Sequence, residues 1–533
     1  MKYFSTRGGK DLLSFEEAVL TGLAPDGGLY IPETIPSLPA NWQEQWKDYS
    51  FIDLSAAILR LFISPSEISD AELRALVDKS YATFRHPDIT PLHKVGDKRF
   101  ILELFHGPTF AFKDVALQFL GNLFEFFLLR RNAKKAGGEP QEKLTIVGAT
   151  SGDTGSAAIY GVRNKANISV FILHPKGRVS PIQEAQMTTV TDANVHNVAV
   201  QGTFDDCQDI VKALFGDKEM NAAYHLGAVN SINWARILAQ TVYYFHAYFA
   251  ALKQLPADAS LQFVVPTGNF GDILAGYYAK KMGLPMAKLA VATNENDILA
   301  RFWRSGKYEK VESAAASGAG DSTAPALGAS DGKQATAAGG VKETLSPAMD
   351  ILVSSNFERL LWYLARQGVV AEEGQAATDE KEKRASASSI LAHWMSLVKT
   401  DGRVEVPVAA LELARQDFVA ERISNEQTLD TIKFHFLADP SYIADPHTSV
   451  GLAAAALVAP QNAPNTTQII LSTAHPAKFS EAVSRALQGY SEFNFERDVL
   501  PEEFRGLLEK KRNVIDVPKA DVELVKQVIK KYA

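Results

Sequence analysis

From about residue 101 onward, short apolar runs alternate with helical patterns. Leu144, Thr145, Ile146 and Val147 form one such run, followed by a loop of small residues and a helical pattern over 157–162. Residues 169–173 and 261–265 repeat the arrangement, each leading through a loop into a helical pattern, at 181–187 and from Ile273. Strands spaced by helices predict a parallel sheet with crossover connections, hence an α/β fold. Ligands of such sheets gather at the carboxyl ends of the strands. The loops after these three strands are therefore the places to look for chemistry. The first hundred residues or so read differently. Ser14 and Glu17 have the spacing of a capping box, residues 25–28 form a turn leading into Leu29-Tyr30-Ile31, and helical patterns cover 54–62 and 70–84. A mainly helical N-terminal domain with a packing role is predicted, at about 1–95.

The most apolar stretch, 115–129, is interrupted by Gln118, Asn122 and Glu125. It falls short of the roughly 20 apolar residues that a membrane span requires, so a buried or amphipathic helix is expected. Two other stretches break the α/β pattern. Residues 313–340 are almost entirely Ala, Gly, Ser, Thr and Asp, a composition that cannot bury enough surface to order itself, and a flexible insertion is expected. Residues 371–389 are Glu/Lys-rich and read as a solvated helix or a second insertion. There is no internal repeat.

Composition narrows the classes further. The 533 residues are 46% hydrophobic and 22% charged, as in a soluble globular protein, and the net charge of −7 argues against a nucleic-acid footprint. The single cysteine, Cys207, forbids an intramolecular disulfide and a Cys-rich zinc site. The N-terminus lacks the apolar core of a signal peptide, and Glu16 and Glu17 come early for an acid-poor transit peptide, so the cytosol is the expected location.

Five segments can carry chemistry. In 103–114, Lys113 stands at a helix start among Phe110, Phe112, Val115 and Leu117. The macrodipole disfavours a cation there and an apolar setting lowers its pKa, as a lysine that bonds a carbonyl needs; a lysine with packed stem and solvated head is the commoner arrangement. The loop 148–156 has three glycines and four hydroxyl residues, Thr150, Ser151, Thr154 and Ser156, before a helix. An anion cradle and a plain connection stand level there. The loop 266–272, with Gly268, Asn269, Phe270, Gly271 and Asp272, suits a phosphate in the same way, with an ordinary βα connection as the alternative. In 174–183, Ser180, Pro181 and Gln183 predict an N-cap, a first helical position and a capping box, while Lys176 and Arg178 are either an anion clamp or solvated charge. Lastly, Asn230, Ser231 and Arg236 open a long helix running to about Leu252, where an Arg fork suits phosphate and an N-capped helix with a surface Arg stands level with it. No segment matches G-x-G-x-x-G, which disfavours a nicotinamide enzyme.

Taken together, His106 to Asp114 with its Phe-Lys-Asp, the Ser-Gly-Asp-Thr-Gly and Gly-Asn-Phe-Gly-Asp loops, and Ser472-Thr473-Ala474-His475-Pro476-Ala477-Lys478-Phe479 resemble the threonine synthases of the fungal and enterobacterial type. The N-terminal Ser-Phe-Glu-Glu-Ala and Asp-Gly-Gly-Leu are similar to that family's N-terminal domain. The resemblance runs from about Phe4 to the C-terminus, apart from the two stretches that break the pattern. It implies a two-lobed tryptophan-synthase-β-like fold, with parallel sheets flanked by helices. The catalytic unit would span 96–533, with a small lobe at roughly 140–220. It implies pyridoxal 5′-phosphate as cofactor, no metal, and conversion of O-phospho-L-homoserine and water to L-threonine and phosphate. Lys113 matches the lysine that bonds the cofactor, Gly268 to Asp272 the loop on its phosphate, and Thr473 the hydroxyl near its ring nitrogen. Ser151, Asp153 and Thr154 match the loop facing the substrate carboxylate and phosphate. Asn230, Ser231 and Arg236 match a substrate-phosphate site, for which Lys176 and Arg178 are further candidates. A serine/threonine dehydratase would share Lys113 and one phosphate loop but has no use for the second anion site. No nucleic-acid or membrane partner is implied, and the oligomeric state stays open.

Overall fold

The structure is a computed structural model and describes residues 1–9, 11–310, 340–369 and 379–533. Nearly all of the proposed insertion at 313–340 and the first part of that at 371–389 lie outside the described residues. Residues 380–389 begin the helix Glu380–Thr400.

Two sheets dominate. The larger has six strands in the order Phe418–Arg422, Leu289–Thr293, Ser260–Pro266, Thr466–Ser472, Arg99–Glu103 and Leu92–Gly96; all neighbours are parallel except the last pair. The smaller has five parallel strands, Ile515–Val517, Val195–Val200, Ile168–Pro175, Leu144–Ala149 and Leu226–Gly227. The three apolar runs seen in the sequence are central strands of these sheets. They are covered on both faces by helices, which is why they are apolar at nearly every position rather than at alternate ones.

The helix Lys113–Asn132 runs between the lobes and is buried over most of its surface. The polar residues that interrupt its apolar run are each partnered. Gln118 donates to the Tyr160 carbonyl at 3.0 Å, Asn122 to Ser80 Oγ at 2.9 Å, and Glu125 pairs with Lys79 at 2.7 Å. Among the described residues no helix is long and apolar enough to cross a membrane.

Capping boxes open the helices Phe15–Thr21, Phe51–Phe62 and Asp70–Tyr81, each with Ser at the N-cap and an acid three residues on. The N-terminal region is not helical throughout. Tyr3–Ser5 pairs antiparallel with Tyr30–Pro32, and Leu92–Gly96 is an edge strand of the large sheet. Its apolar faces pack into the same core as the large lobe: Tyr3 and Phe62 both meet the ring of Trp234. The small sheet likewise reaches beyond 140–220. The C-terminal strand Ile515–Val517 covers the open edge of Val195–Val200, and Val525 and Ile529 on the last helix, Val522–Tyr532, pack against Cys207, Ile210 and Leu214. An uncovered parallel edge would expose a row of unpaired backbone groups, and the chain closes it with its own end.

Candidate active site

The turn before Lys113 is built to a fixed shape. Asp114 is buried and accepts from both the backbone N–H and the hydroxyl of Thr109, each at 2.7 Å. Burial pushes the Asp114 carboxyl up to about 6 against those hydrogen bonds. Gly107 lies against it so closely that a Cβ there would stand 2.4 Å from the Asp114 Cβ. Thr473 follows the central strand Thr466–Ser472, and its carbonyl accepts from the Phe112 N–H at 2.8 Å. Ala111 and Ala474 form an antiparallel bridge beside it. Lys113 and Thr473, 360 residues apart, are thus held by one backbone seam. Burial pulls the Lys113 amine down to about 8; Asp153 opposes this, while the positive charges of Lys478 and Arg236 reinforce it.

The loop 267–271 opens the helix Gly271–Met282. Gly268 has no space for a side chain, since a Cβ would lie 2.8 Å from the Ala348 carbonyl oxygen. Phe270 adopts a left-handed backbone, φ 63°, and is held there by rings of Trp303, Phe357 and Phe418 around its own. Its strain is offset by that packing. Asp272 is buried, and Tyr243 and Tyr244 both donate to its Oδ1, Tyr244 at 3.3 Å; burial pushes its carboxyl up to about 7.

A segment absent from the sequence reading, Ser354 to Asn356, binds this loop to the start of the long helix Trp234–Leu252. Ser354 Oγ donates to the Gly268 carbonyl at 2.7 Å, and Ser355 Oγ donates to Asn269 Oδ1 at 3.1 Å. Asn356 Nδ2 donates to the carbonyls of Asn269 at 3.0 Å and Ser231 at 3.2 Å. Ser231 and Ser355 hydroxyls stand 3.5 Å apart. Arg359, fully buried, donates to Asn356 and to the Ile232 and Tyr30 carbonyls, tying the N-terminal strand to the same place. Arg236 is buried, donates to the Val229 carbonyl at 3.1 Å, and keeps its Nε without a partner. Asn230 is exposed. The 267–271 loop and the start of the long helix are therefore adjacent and share a polar bridge.

In the loop 148–156, Ser151 is exposed, Thr154 is half-buried and Asp153 is buried at the start of the helix Asp153–Val162. The Asp153 carboxylate is engaged: Lys478 Nζ lies 2.7 Å from its Oδ1 and Gln183 Nε2 donates to the same atom at 2.7 Å. The Thr150 hydroxyl donates to the Gly152 carbonyl and accepts from the Gly152 and Gly155 N–H groups, and Ser156 donates to the Asp153 carbonyl, which leaves the Ser151 and Thr154 hydroxyls, rather than this carboxylate, to face an anion. Gln183 accordingly does not close a capping box. Ser180 caps and Pro181 starts the helix Pro181–Thr188 as expected, but the Gln183 side chain is drawn to Asp153. Lys176 pairs with Asp516 at 2.7 Å on the surface, with both side chains more than half exposed, and Arg178 is exposed. The structure thus brings Lys113, Asp153, Lys478 and Arg236 into one charge cluster, sets Thr473 beside the Lys113 turn through the backbone seam, and leaves Lys176 engaged elsewhere.

Lys478 and the Asp445–His447 pair, the latter at 2.8 Å, were missed as site residues. Lys478 was visible only as one letter of a longer motif. His447 Nε2 accepts from the Ala348 N–H at 3.2 Å, beside Gly268, and no local pattern announces that contact.

A half-buried lysine of lowered pKa, set at strand ends beside a helix N-terminus with no room for a side chain at Gly268, fits a phosphorylated aldehyde. The parallel-sheet lobes and this site define a pyridoxal-phosphate-dependent enzyme. A family model described as pyridoxal-phosphate dependent enzyme matches residues 85–379. Models of the threonine synthase N terminus and C-terminal region match 2–81 and 448–529. The chain is 56% identical to the threonine synthase of Schizosaccharomyces pombe over 530 residues, covering 99% of this chain and 98% of that one. It is 53% identical to that of Saccharomyces cerevisiae over 537 residues, covering 99% and 97%. The crystal structure of threonine synthase from yeast superposes with a TM-score of 0.89, covering 100% of this chain and 98% of that one. A pyridoxal-phosphate-bound threonine synthase from Brucella melitensis gives 0.83 at 38% identity, covering 100% and 99%. The chain belongs to the threonine synthase family.

Proposed function

We propose that the enzyme takes O-phospho-L-homoserine and water to L-threonine and phosphate in the cytoplasm, with Lys113 as both the cofactor's covalent anchor and the proton carrier. The observation that carries this reading is the polar bridge joining the 267–271 loop to the helix start at Ser231, with Arg236 among the charges around Lys113, read as two anion cradles beside one lysine. The reaction involves two phosphates, one on the cofactor and one on the substrate, and each needs its own donors.

Gly268, Asn269, Phe270, Gly271 and Asp272 would hold the cofactor phosphate, through N–H groups at the helix start, and Thr473 would set its hydroxyl at the ring nitrogen. The bound cofactor supplies an electron sink for the carbanion character that develops on the substrate. Asn230, Ser231 and Arg236 would take the substrate phosphate, the Arg236 Nε being the buried donor with an unused bond. Ser151 and Thr154, on the loop that Asp153 anchors, would take the carboxylate. Lys176 and Arg178 would act at most by attracting anions from solution. Lys113 Nζ, neutral above about pH 8, can remove a proton from Cα and move protons at the neighbouring carbons as phosphate leaves Cγ and water adds at Cβ. The division into an N-terminal unit, about 1–95, and a catalytic unit over 96–533 belongs to the same reading.

The test is product analysis of purified enzyme loaded with cofactor. Phosphate and threonine are expected in equal amounts from O-phosphohomoserine, with no keto acid from serine. Keto acid without phosphate release would replace the reading with a dehydratase.

A further inference from the structure

The mechanism leaves one strongly placed group unused. Lys478 lies in the short helical turn Pro476–Phe479 and has a fully buried side chain. A lysine is almost never buried unless paired. This one pairs with Asp153 at 2.7 Å and donates to the Thr109 carbonyl at 2.8 Å. Its partners come from two different places. Asp153 starts the first helix of the small sheet; Thr109 belongs to the turn that carries Lys113 and, through its N–H and hydroxyl, holds Asp114. Gln186 Nε2 adds a second donor to the Thr109 carbonyl at 3.2 Å. One ammonium therefore ties the large lobe, the small lobe and the lysine turn together.

Resting on the reading of Lys113 given above, we infer that Lys478 is a positioning residue. Its buried pair with Asp153 clamps the small-lobe helix onto the lysine turn and fixes one positive and one negative charge beside the reactive amine. The groups facing these charges are Lys113, Arg236 and Asp114 around the amine, and Lys113, Lys478, Gln183 and His447 around Asp153. Burial alone would raise the Asp153 carboxyl; Lys478 and Lys113 instead bring it down to about 2, so it stays ionised at working pH. The two charges act on Lys113 in opposite senses. Lys478 favours the neutral amine and Asp153 the ammonium.

The experiment is a set of four variants, Lys478→Met, Asp153→Asn, their double variant and Lys478→Arg, each loaded with pyridoxal phosphate. Two readouts are taken: the acid limb of kcat against pH, and the pH titration of the cofactor's visible absorption band. Lys478→Met should move both to higher pH by roughly one unit, the size that one nearby charge imposes on a buried group. Asp153→Asn should move both to lower pH, the double variant should return towards wild type, and Lys478→Arg should leave both in place with a lowered kcat. Shifts in the same direction, or no shift in either single variant, would overturn the inference. If Lys478→Met does not fold because Asp153 is left buried and unpaired, the Asp153→Asn and Lys478→Arg arms decide it alone. Borohydride reduction followed by peptide mapping keeps the two readings apart. Cofactor fixed on Lys113 with unmoved profiles overturns the role of Lys478 only, while cofactor fixed elsewhere overturns the reading of Lys113.

Discussion

Gly107→Ala probes the shape of the lysine turn without removing any polar group. The new Cβ would stand 2.4 Å from the Asp114 Cβ and 2.7 Å from its Oδ2. Carbon atoms rest at about 3.5–4.0 Å, so roughly 1 Å must be opened. Neither contact can yield by a side-chain rotation, because both Cβ positions are fixed by backbone, and Asp114 is held by two bonds from Thr109. The displacement therefore falls on the turn that presents Lys113. Overpacking of this kind costs about 1–3 kcal/mol of stability, and misplacing a reacting group by about 1 Å can cost about 10²-fold in rate. The expected variant is folded, binds cofactor and turns over about 10²-fold more slowly at saturating substrate, as read by phosphate release. Its urea midpoint should fall modestly. Gly137→Ala is the control: nothing lies within 4 Å of the added carbon there, and neither quantity should fall. A Gly107→Ala enzyme with wild-type kcat would refute the claim that the turn's geometry sets the position of the amine.

Other outcomes follow from the same contacts. Thr473→Ala should leave the chain folded while altering the visible spectrum or turnover; an unchanged enzyme removes Thr473 from the site. Asp272→Asn keeps an oxygen to accept from Tyr243 and Tyr244 but cannot ionise. In the wild-type apoenzyme the folded Asp272 carboxyl titrates near 7 against about 4 unfolded, so the unfolded state holds fewer protons between those values and stability falls as pH rises through them. The variant should lose that slope, as read by urea unfolding from pH 4 to 7. Ile529→Ala, in the C-terminal helix over Cys207, should cost about 2–5 kcal/mol, measured as the loss in unfolding free energy.

The central strands and the loops after them were legible because local composition carries them. A parallel strand buried on both faces is an unbroken apolar run, and the loops of Gly, Ser, Thr and Asp that follow stand out against it. Lys113, the 268–272 loop and Thr473 stand out in the sequence through whole motifs rather than through single residues. What was not legible depends on partners far along the chain. Ile515–Val517 is three residues long and is a strand only because Val195–Val200 offers an open edge. Ser354 to Asn356 gains its meaning from contacts with Asn269 and Ser231, more than 80 residues away. Gln183 carries a capping-box signature, yet the pull of a buried carboxylate on its amide outweighs one helix-end hydrogen bond. Lys478 reads as an ordinary charge until Asp153 is seen beside it.

The central claim is that one lysine, Lys113, anchors the cofactor between the two cradles. It is tested most directly by borohydride reduction of the purified holoenzyme, followed by proteolysis and mass mapping of the reduced cofactor. The account predicts a stoichiometric label on Lys113, with threonine formation abolished by the reduction and no label in Lys113→Ala. A label on Lys478, the other lysine of the cluster, or loss of activity without any labelled lysine, would contradict it.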